Sequence, residues 1–582
     1  MCGFICNVST LPKPEGYALA STIALEQRGP DSRGSFSSVD SRVHVTHRRL
    51  EVMKGKDGAQ PIVDISGRFV MVFNGEIINH SVLVKDLDRG NYESDTKILF
   101  DYIIKFGDQG LRRIKGMFSI AFFDLDKREC FLIRDQFGIK PLYFTLDSFD
   151  LCISTNASAI AKHNNHSLSK TALISYLVNQ SGDSVQSPFD GITAVPPGQL
   201  LRFSWAGDAL SLISTDAIDM DLENTEPSEH PLDRLIPRWV DGPHQYDIHL
   251  SGGVDSSCLL VALCKSGNPP QQALSLTFEG MPQQELVFAK DLSKRLGVDH
   301  RIIDVDIKKQ FREQQQHIFL ALEKPFAGGF MPFFLFPYSD EKVVVSGLGG
   351  DELFGNYGKS RVANNFYHWA RHLYFTKDLG EPLTRKLRDF RYLYHPSVFS
   401  SYEIVQLLGL DSSYVQEFVT TKLFPGCLTD RKVAEFDLKN QLVSEFLHAA
   451  DMLGMWFGKE VRPPLLNREL LKMEKVRFDP NLEDKFYLKN YLRTKGYPYP
   501  VNKKVGFPNP TALWANDSKN EVIDFLFNEF DGEYLNTRIV KKCHRDFRKG
   551  RFPLQKFWTI FCFLSWEYHR AEKHQDYMYL LN

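Results

Sequence analysis

The chain has 582 residues and a mass of 66.8 kDa, enough at roughly 150 residues per domain for two large domains or three to four ordinary ones. Its 70 Lys and Arg stand against 72 Asp and Glu, a formal charge of −2, without the basic excess of a generic nucleic-acid binder. With 43% hydrophobic and 24% charged residues it has the composition of a folded protein, not a disordered one. Aromatics are abundant and 45 of them are Phe, which reads as core packing, with an aromatic substrate pocket as the sharper alternative.

The first residues, Met1-Cys2-Gly3-Phe4-Ile5-Cys6, have no basic region followed by a long apolar stretch, so no secretory signal is expected. Nine cysteines without metal-ligand spacing fit reduced thiols in a cytoplasm. No apolar run reaches the roughly 18–20 residues that span a bilayer. The longest, 331–338 and 557–566, read as buried elements.

Up to about residue 205 the chain reads as short strands between turn clusters, with β-rich runs at 69–74, 118–124 and 130–134. Between 206 and 233 it carries Asp208, Asp216, Asp219, Asp221, Glu223, Glu226, Glu229 and Asp233 and no Lys or Arg. That texture reads as an acidic surface linker, set here at 206–243. From Tyr246 the pattern turns to strand–loop–helix: a strand at 246–250, a Gly/Ser loop, then an apolar helical run at 259–264. Buried strands follow at 274–278 and 342–346, and the region from about Asn364 onward is Phe/Leu-rich and helical in character.

Cys2 directly follows the initiator Met and precedes the small Gly3. Removal of Met1 would leave a terminal cysteine whose α-amine, with a pKa near ~8, can take the proton of its own thiol, so that nucleophile and base share one residue. A cysteine at position two is usually incidental; its neighbours change that reading. Arg28-Gly29-Pro30-Asp31, His47-Arg48-Arg49-Leu50, Ala59-Gln60-Pro61, Phe73-Asn74-Gly75-Glu76-Ile77, Ser94-Asp95-Thr96 and Arg134-Asp135-Gln136-Phe137-Gly138-Ile139-Lys140-Pro141-Leu142-Tyr143 occur in that order. In these motifs the first 200 residues or so resemble the class II glutamine amidotransferase domain. The resemblance implies that Cys2 attacks the side-chain amide of glutamine, with Asn74 and the Gly75 backbone N–H holding the oxyanion. It implies that Arg49 pairs with the α-carboxylate of glutamine and that Glu76 and Asp95 receive its ammonium. Asn74-Gly75 taken alone reads as a hairpin turn.

Ser251-Gly252-Gly253-Val254-Asp255-Ser256-Ser257 follows one strand and opens a helix. Glycines let successive N–H groups curl around one anion, the helix N-terminus adds partial positive charge, and Asp255 can hold a Mg²⁺. The spacing differs from GxxxxGK[ST] and resembles the pyrophosphate loop of N-type ATP pyrophosphatases. A second strand ends in Ser346-Gly347-Leu348-Gly349-Gly350-Asp351-Glu352-Leu353-Phe354-Gly355-Asn356-Tyr357. The two loops together are similar to those of the asparagine synthetase family, and so are Asp451, Glu460-Val461-Arg462-Pro463-Pro464-Leu465-Leu466-Asn467, residues 489–493 and Lys503-Lys504-Val505-Gly506-Phe507.

That resemblance implies an α+β N-terminal-nucleophile glutaminase sandwich (1–205) and then an α/β parallel-sheet ATP pyrophosphatase domain with a helical C-terminal region (244–582). Ser251, Gly252, Gly253, Asp255, Ser256, Ser257, Gly347 and Gly349 would bind ATP and pyrophosphate, Asp255 and Asp351 would hold Mg²⁺, and Lys504 would stabilise departing pyrophosphate. The implied reaction activates a carboxylate as an acyl-adenylate and amidates it with ammonia from glutamine, carried through a sealed, largely apolar passage. Glutamine and a carboxylic acid are the expected partners, a nucleic acid or a membrane is not, and a homodimer is an open expectation. Leu348 stands where asparagine-forming members usually have an acid, and Gly328, among Phe330, Phe333, Phe334 and Phe336, stands where an Asp is frequent. Aspartate and a different acceptor acid therefore both remain open, as do a ring-forming synthetase of the β-lactam or peptide-cyclase type and a non-catalytic scaffold.

Overall fold

The computed structural model describes residues 2–14, 25–53, 55–88, 92–164, 166–182, 187–207, 209–218, 230–242, 244–355, 398–419, 438–471, 485–500 and 510–580. The N-terminal part contains two six-stranded antiparallel sheets. In the first the order is β10 (Thr193–Ala194), β8 (Tyr143–Leu146), β9 (Asp150–Ser154), β1 (Cys2–Ser9), β3 (Val43–Arg49) and β2 (Ser32–Ser37), and in the second β12 (Ser211–Ala217), β11 (Gln199–Ser204), β7 (Glu129–Arg134), β6 (Gly116–Asp124), β5 (Phe69–Ile77) and β4 (Ile62–Val63). The strands that matter for the site are β1 (Cys2–Ser9), β3 (Val43–Arg49), β5 (Phe69–Ile77), β6 (Gly116–Asp124) and β7 (Glu129–Arg134).

Alternation explains the stacking. Phe4, Cys6 and Val8 of β1 join Val70 and Val72 of β5 in one core between the sheets. Ile5 faces the opposite core, with helix Ala157–Asn164, while Met71 and Phe73 face helix Asp95–Leu111. Strands covered on both faces lose the polar alternation of a half-exposed strand, so β1, buried throughout, carried no period-two signal and was not foreseen. The expected strands at 69–74, 118–124 and 130–134 are β5, β6 and β7, with bounds shifted by up to three residues. Asn74-Gly75 is not a hairpin turn: both residues lie inside β5, with Gly75 paired to Phe118 of β6.

The C-terminal part is built on a five-stranded parallel sheet of order β15-β14-β13-β16-β17. Its strands are β13 (Tyr246–His249), β14 (Ala273–Thr277), β15 (His300–Asp304), β16 (Val343–Val345) and β17 (Glu460–Arg462). Val343 and Val345 enter one core and Val344 another, so both faces are covered. Chain order reverses between neighbouring β13 and β16, which is where an open α/β sheet leaves a crevice outside the carboxyl ends of its strands. Both Gly-rich loops leave from these two strands.

The segment 206–243 is not a linker throughout. Ser211–Ala217, with Asp216, forms β12 against β11 (Gln199–Ser204), because backbone pairing at a sheet edge asks little of side-chain polarity. Pro231–Leu235 is a short helix whose Asp233 accepts hydrogen bonds from Lys495 Nζ (2.5 Å) and Tyr491 Oη (2.6 Å). Residues 331–338 form two buried 3₁₀ turns, and 557–566 lie inside helix Leu554–Leu580. No helix among the described residues is long and apolar enough to cross a membrane.

Candidate active sites

Register sets the first site. In the β1–β3 pair Cys2 stands opposite Arg49, and β5 brings Gly75 and Glu76 to the same small cavity of about 30 Å³, also lined by Asp95 and Glu460. The Cys2 backbone nitrogen donates to Asn74 Oδ1 at 2.9 Å, so Asn74 is tied to the group that Met1 removal would free. Gly75 has φ +149°, and a Cβ there would lie 1.9 Å from the Met117 carbonyl; only glycine fits. Burial pushes the Cys2 thiol up, opposed by the nearby amino terminus, the Leu50 N–H and Arg49. Arg49 Nη2 donates to Met53 O (3.1 Å) and Gly55 O (3.3 Å), and Arg49 pairs with Glu51 at 3.3 Å, which fixes its guanidinium at the cavity.

Asp95 opens helix Asp95–Leu111 and accepts the Ile77 N–H at 3.2 Å. Burial raises it to about 6, against the pull of that N–H. Glu76 lines the same cavity, and its carboxylate also lies 3.2 Å from Arg462 Nη2 of the C-terminal domain. Arg462 also donates to Glu460 (2.6 Å) and to the Trp239 carbonyl (2.6 Å).

Glu460, to which the motif alone gives no role, reaches the Cys2 cavity from β17. This strand is an edge of the parallel sheet, and its Glu460 and Arg462 side chains meet the N-terminal domain. The domain boundary beside Cys2 carries both charge and apolar contact: Arg28 Nε donates to Cys2 O (3.3 Å), Arg28 pairs with Asp451 at 2.8 Å, Lys140 reaches Asp451 at 3.5 Å, and Leu50 packs with Met455.

The second site sits over the β13/β16 crevice. Gly252 has φ +81°, and a Cβ there would meet the Glu285 carbonyl at 1.9 Å. Gly253 N donates to Ser251 Oγ at 3.1 Å, and Ser256 Oγ lies 3.1 Å from Ser251 Oγ. Helix Val254–Lys265 then starts with Asp255 in its first turn. Ser257, expected to bind phosphate, is fully buried, and its Oγ has no hydrogen-bond partner among the described residues. Gly347 packs against the first loop, where a Cβ would sit 3.1 Å from the Asp255 Cβ and the Ser256 nitrogen, and Gly349 makes room for the Leu466 side chain.

Asp255 and Asp351 do converge, and what joins them is a residue the sequence reading missed. Lys485 pairs with Asp351 at 2.7 Å and with Asp255. Burial disfavours its charge, but the two carboxylates outweigh that and raise it above the ordinary lysine value. It lies about 230 residues from Asp255, with nothing local to mark it. Lys504 and the rest of 503–507 lie outside the described residues.

Residues 1–211 match the family model described as a glutamine amidotransferase domain, and residues 244–568 match the model described as asparagine synthase. The chain belongs to the asparagine synthase family. Asparagine synthetase [glutamine-hydrolyzing] 1 of Bacillus subtilis is 25% identical, with 98% of this chain and 97% of the relative covered. The putative asparagine synthetase [glutamine-hydrolyzing] of Mycobacterium bovis is 24% identical over 97% of each chain. Asparagine synthetase B of Escherichia coli is 25% identical over 64% of this chain and 65% of its own length.

Proposed function

We propose that the chain is a glutamine-dependent amidotransferase: Cys2 releases ammonia from glutamine, and the second domain uses ATP to activate a carboxylate as an acyl-adenylate that the ammonia attacks. A carboxylate is a poor electrophile at neutral pH, and AMP is a good leaving group, so activation precedes amidation. One observation carries the coupling. The Ser346 N–H, at the start of the second loop, donates to the Arg462 carbonyl at 2.9 Å, while the side chain of the same Arg462 pairs with Glu76 in the glutamine pocket.

In this reading Arg49 orients glutamine by its carboxylate, Asp95 takes its ammonium, Asn74 and the Gly75 N–H hold the oxyanion, and the freed Cys2 amine accepts the thiol proton. Loop 251–256 cradles the phosphates. A Mg²⁺ fits the pair Asp255 and Asp351, since Asp255 Oδ1 is buried without a hydrogen-bond partner and Gly350 leaves the space above it open, where a Cβ would lie 2.5 Å away. That cation supplies charge neutralisation for the phosphates. Lys485 is the protein's own cation there and holds the two carboxylates together. Lys504 keeps its proposed role toward pyrophosphate.

The acceptor is a carboxylic acid, with aspartate the first candidate. Phe330, Phe333, Phe334 and Phe336 are core residues, packed with Phe319, Trp514 and Phe457, so they give no support to an aromatic acceptor pocket. The acid missing at 328 has a stand-in: a Cβ on Gly328 would begin 2.9 Å from Glu445 Oε1, and this carboxylate can answer an acceptor ammonium. The test supplies glutamine, Mg²⁺-ATP and aspartate to the purified chain, expecting AMP, pyrophosphate, glutamate and asparagine. Release of ADP in place of AMP overturns the reading. Product formed without any nitrogen donor would favour the cyclase.

A further inference from the structure

A cavity of about 90 Å³ lies between helix Ala157–Asn164 of the first domain and helices Ile307–Ala321, His448–Trp456 and Leu554–Leu580 of the second. It shares no lining residue with the Cys2 cavity and none with either phosphate loop. Its wall includes four charged side chains, Arg28, Lys162, Glu323 and Arg570, and an apolar part with Met452, Met455 and Trp566.

Arg28, Glu323 and Arg570 are each half engaged. Arg28 binds Asp451 and the Cys2 carbonyl, yet its Nη2 is buried without a hydrogen-bond partner. Glu323 Oε1 accepts from Ser158 Oγ at 3.0 Å, yet Oε2 has no partner. The Arg570 guanidinium stacks over Phe189 (4.2 Å) and Trp566 (5.2 Å), yet Nη1 has none. Arg28 and Glu323 are only 3% and 7% exposed. A buried polar atom left unpaired costs roughly 1–3 kcal/mol, more when charged, and three such atoms around one cavity call for an occupant. A water needs only about 10–15 Å³, and a cavity of ~150 Å³ takes benzene; this one suits a ligand of a few heavy atoms.

We propose that this cavity binds a small α-amino acid, its carboxylate on Arg28 Nη2 and Arg570 Nη1, its ammonium on Glu323 Oε2, and its side chain against the two methionines and Trp566. Two cationic donors and one anionic acceptor left without hydrogen bonds match a zwitterion better than a simple anion or a simple amine. Burial pushes Glu323 up to about 7, and an adjacent ammonium holds such a carboxyl ionised. The site is independent of the amidotransferase reading. Because Arg28 also holds the Cys2 carbonyl, an occupant would bear on the glutamine pocket.

Titration calorimetry of the full chain with L-alanine and L-valine tests the site. Saturable binding is expected with at least one of them, at least tenfold weaker in Arg570→Gln and in Glu323→Gln. Propionate and ethylamine, each lacking one charge, should also bind at least tenfold more weakly. Either variant suffices if the other melts at the working temperature. No binding of either amino acid, or equal binding in a folded variant, overturns the proposal. Amidation of the bound amino acid in the presence of glutamine and ATP also overturns it, since the cavity would then be the acceptor site.

Discussion

Arg462 of the parallel sheet and Glu76 of the amidotransferase sheet lie 3.2 Å apart, both almost wholly buried. The pair ties the wall of the glutamine pocket to the edge strand that neighbours the second phosphate loop. Removing one member of a buried pair costs about 3–5 kcal/mol, so Arg462→Met should lower stability by that order in urea unfolding, with Glu76→Gln milder. Arg462 also helps hold Glu460 down, to about 2, against burial. That stability is present above the ordinary carboxylate range and is lost as pH falls toward 2. The acid-side slope of stability should therefore flatten in Arg462→Met.

Asp95, raised to about 6, must be ionised to receive the glutamine ammonium. Below about pH 6 it is protonated, so KM for glutamine should rise about tenfold per unit as pH falls, while kcat at saturating glutamine changes less. The same shift in an Asp95→Asn variant would remove Asp95 as the cause.

Cys2→Ala should reduce glutamine-dependent synthesis by at least about 10³-fold, the scale of losing a nucleophile, and leave synthesis with added ammonium intact. Glutamate release and amide formation are measured side by side. Surviving glutamine-dependent synthesis would exclude Cys2.

Chelating divalent cations should abolish pyrophosphate release and spare glutamine hydrolysis, because neither Asp255 nor Asp351 lines the Cys2 cavity. Lys485→Met leaves the two carboxylates facing each other without their cation, and pyrophosphate release should fall about 10²-fold or more. Lys485→Arg should not rescue it, as the planar guanidinium does not fit a site shaped for a point charge.

Gly252→Ala places a methyl 1.9 Å from the Glu285 backbone oxygen at a left-handed φ of +81°. The loop must shift, so KM for ATP should rise at least about tenfold, roughly 1.4 kcal/mol of lost binding, with glutamine hydrolysis unchanged.

The sequence by itself determined the elements whose signal is local. Strands 69–74 and 246–250, the two Gly-rich loops and the ordered motifs around Cys2 were legible because turn chemistry, β-propensity and motif spacing act over a few residues. Only the tertiary structure decided the rest. β1 is covered on both faces and carries no alternation, and Asp216 belongs to an edge strand whose pairing ignores charge. Glu76 gained an ion-pair partner because Arg462, nearly 400 residues on in the sequence, folds against it. Lys485 joined Asp255 and Asp351 for the same reason: a buried charge takes its partner from whatever packing brings within reach, and chain separation leaves no trace of that choice in the sequence.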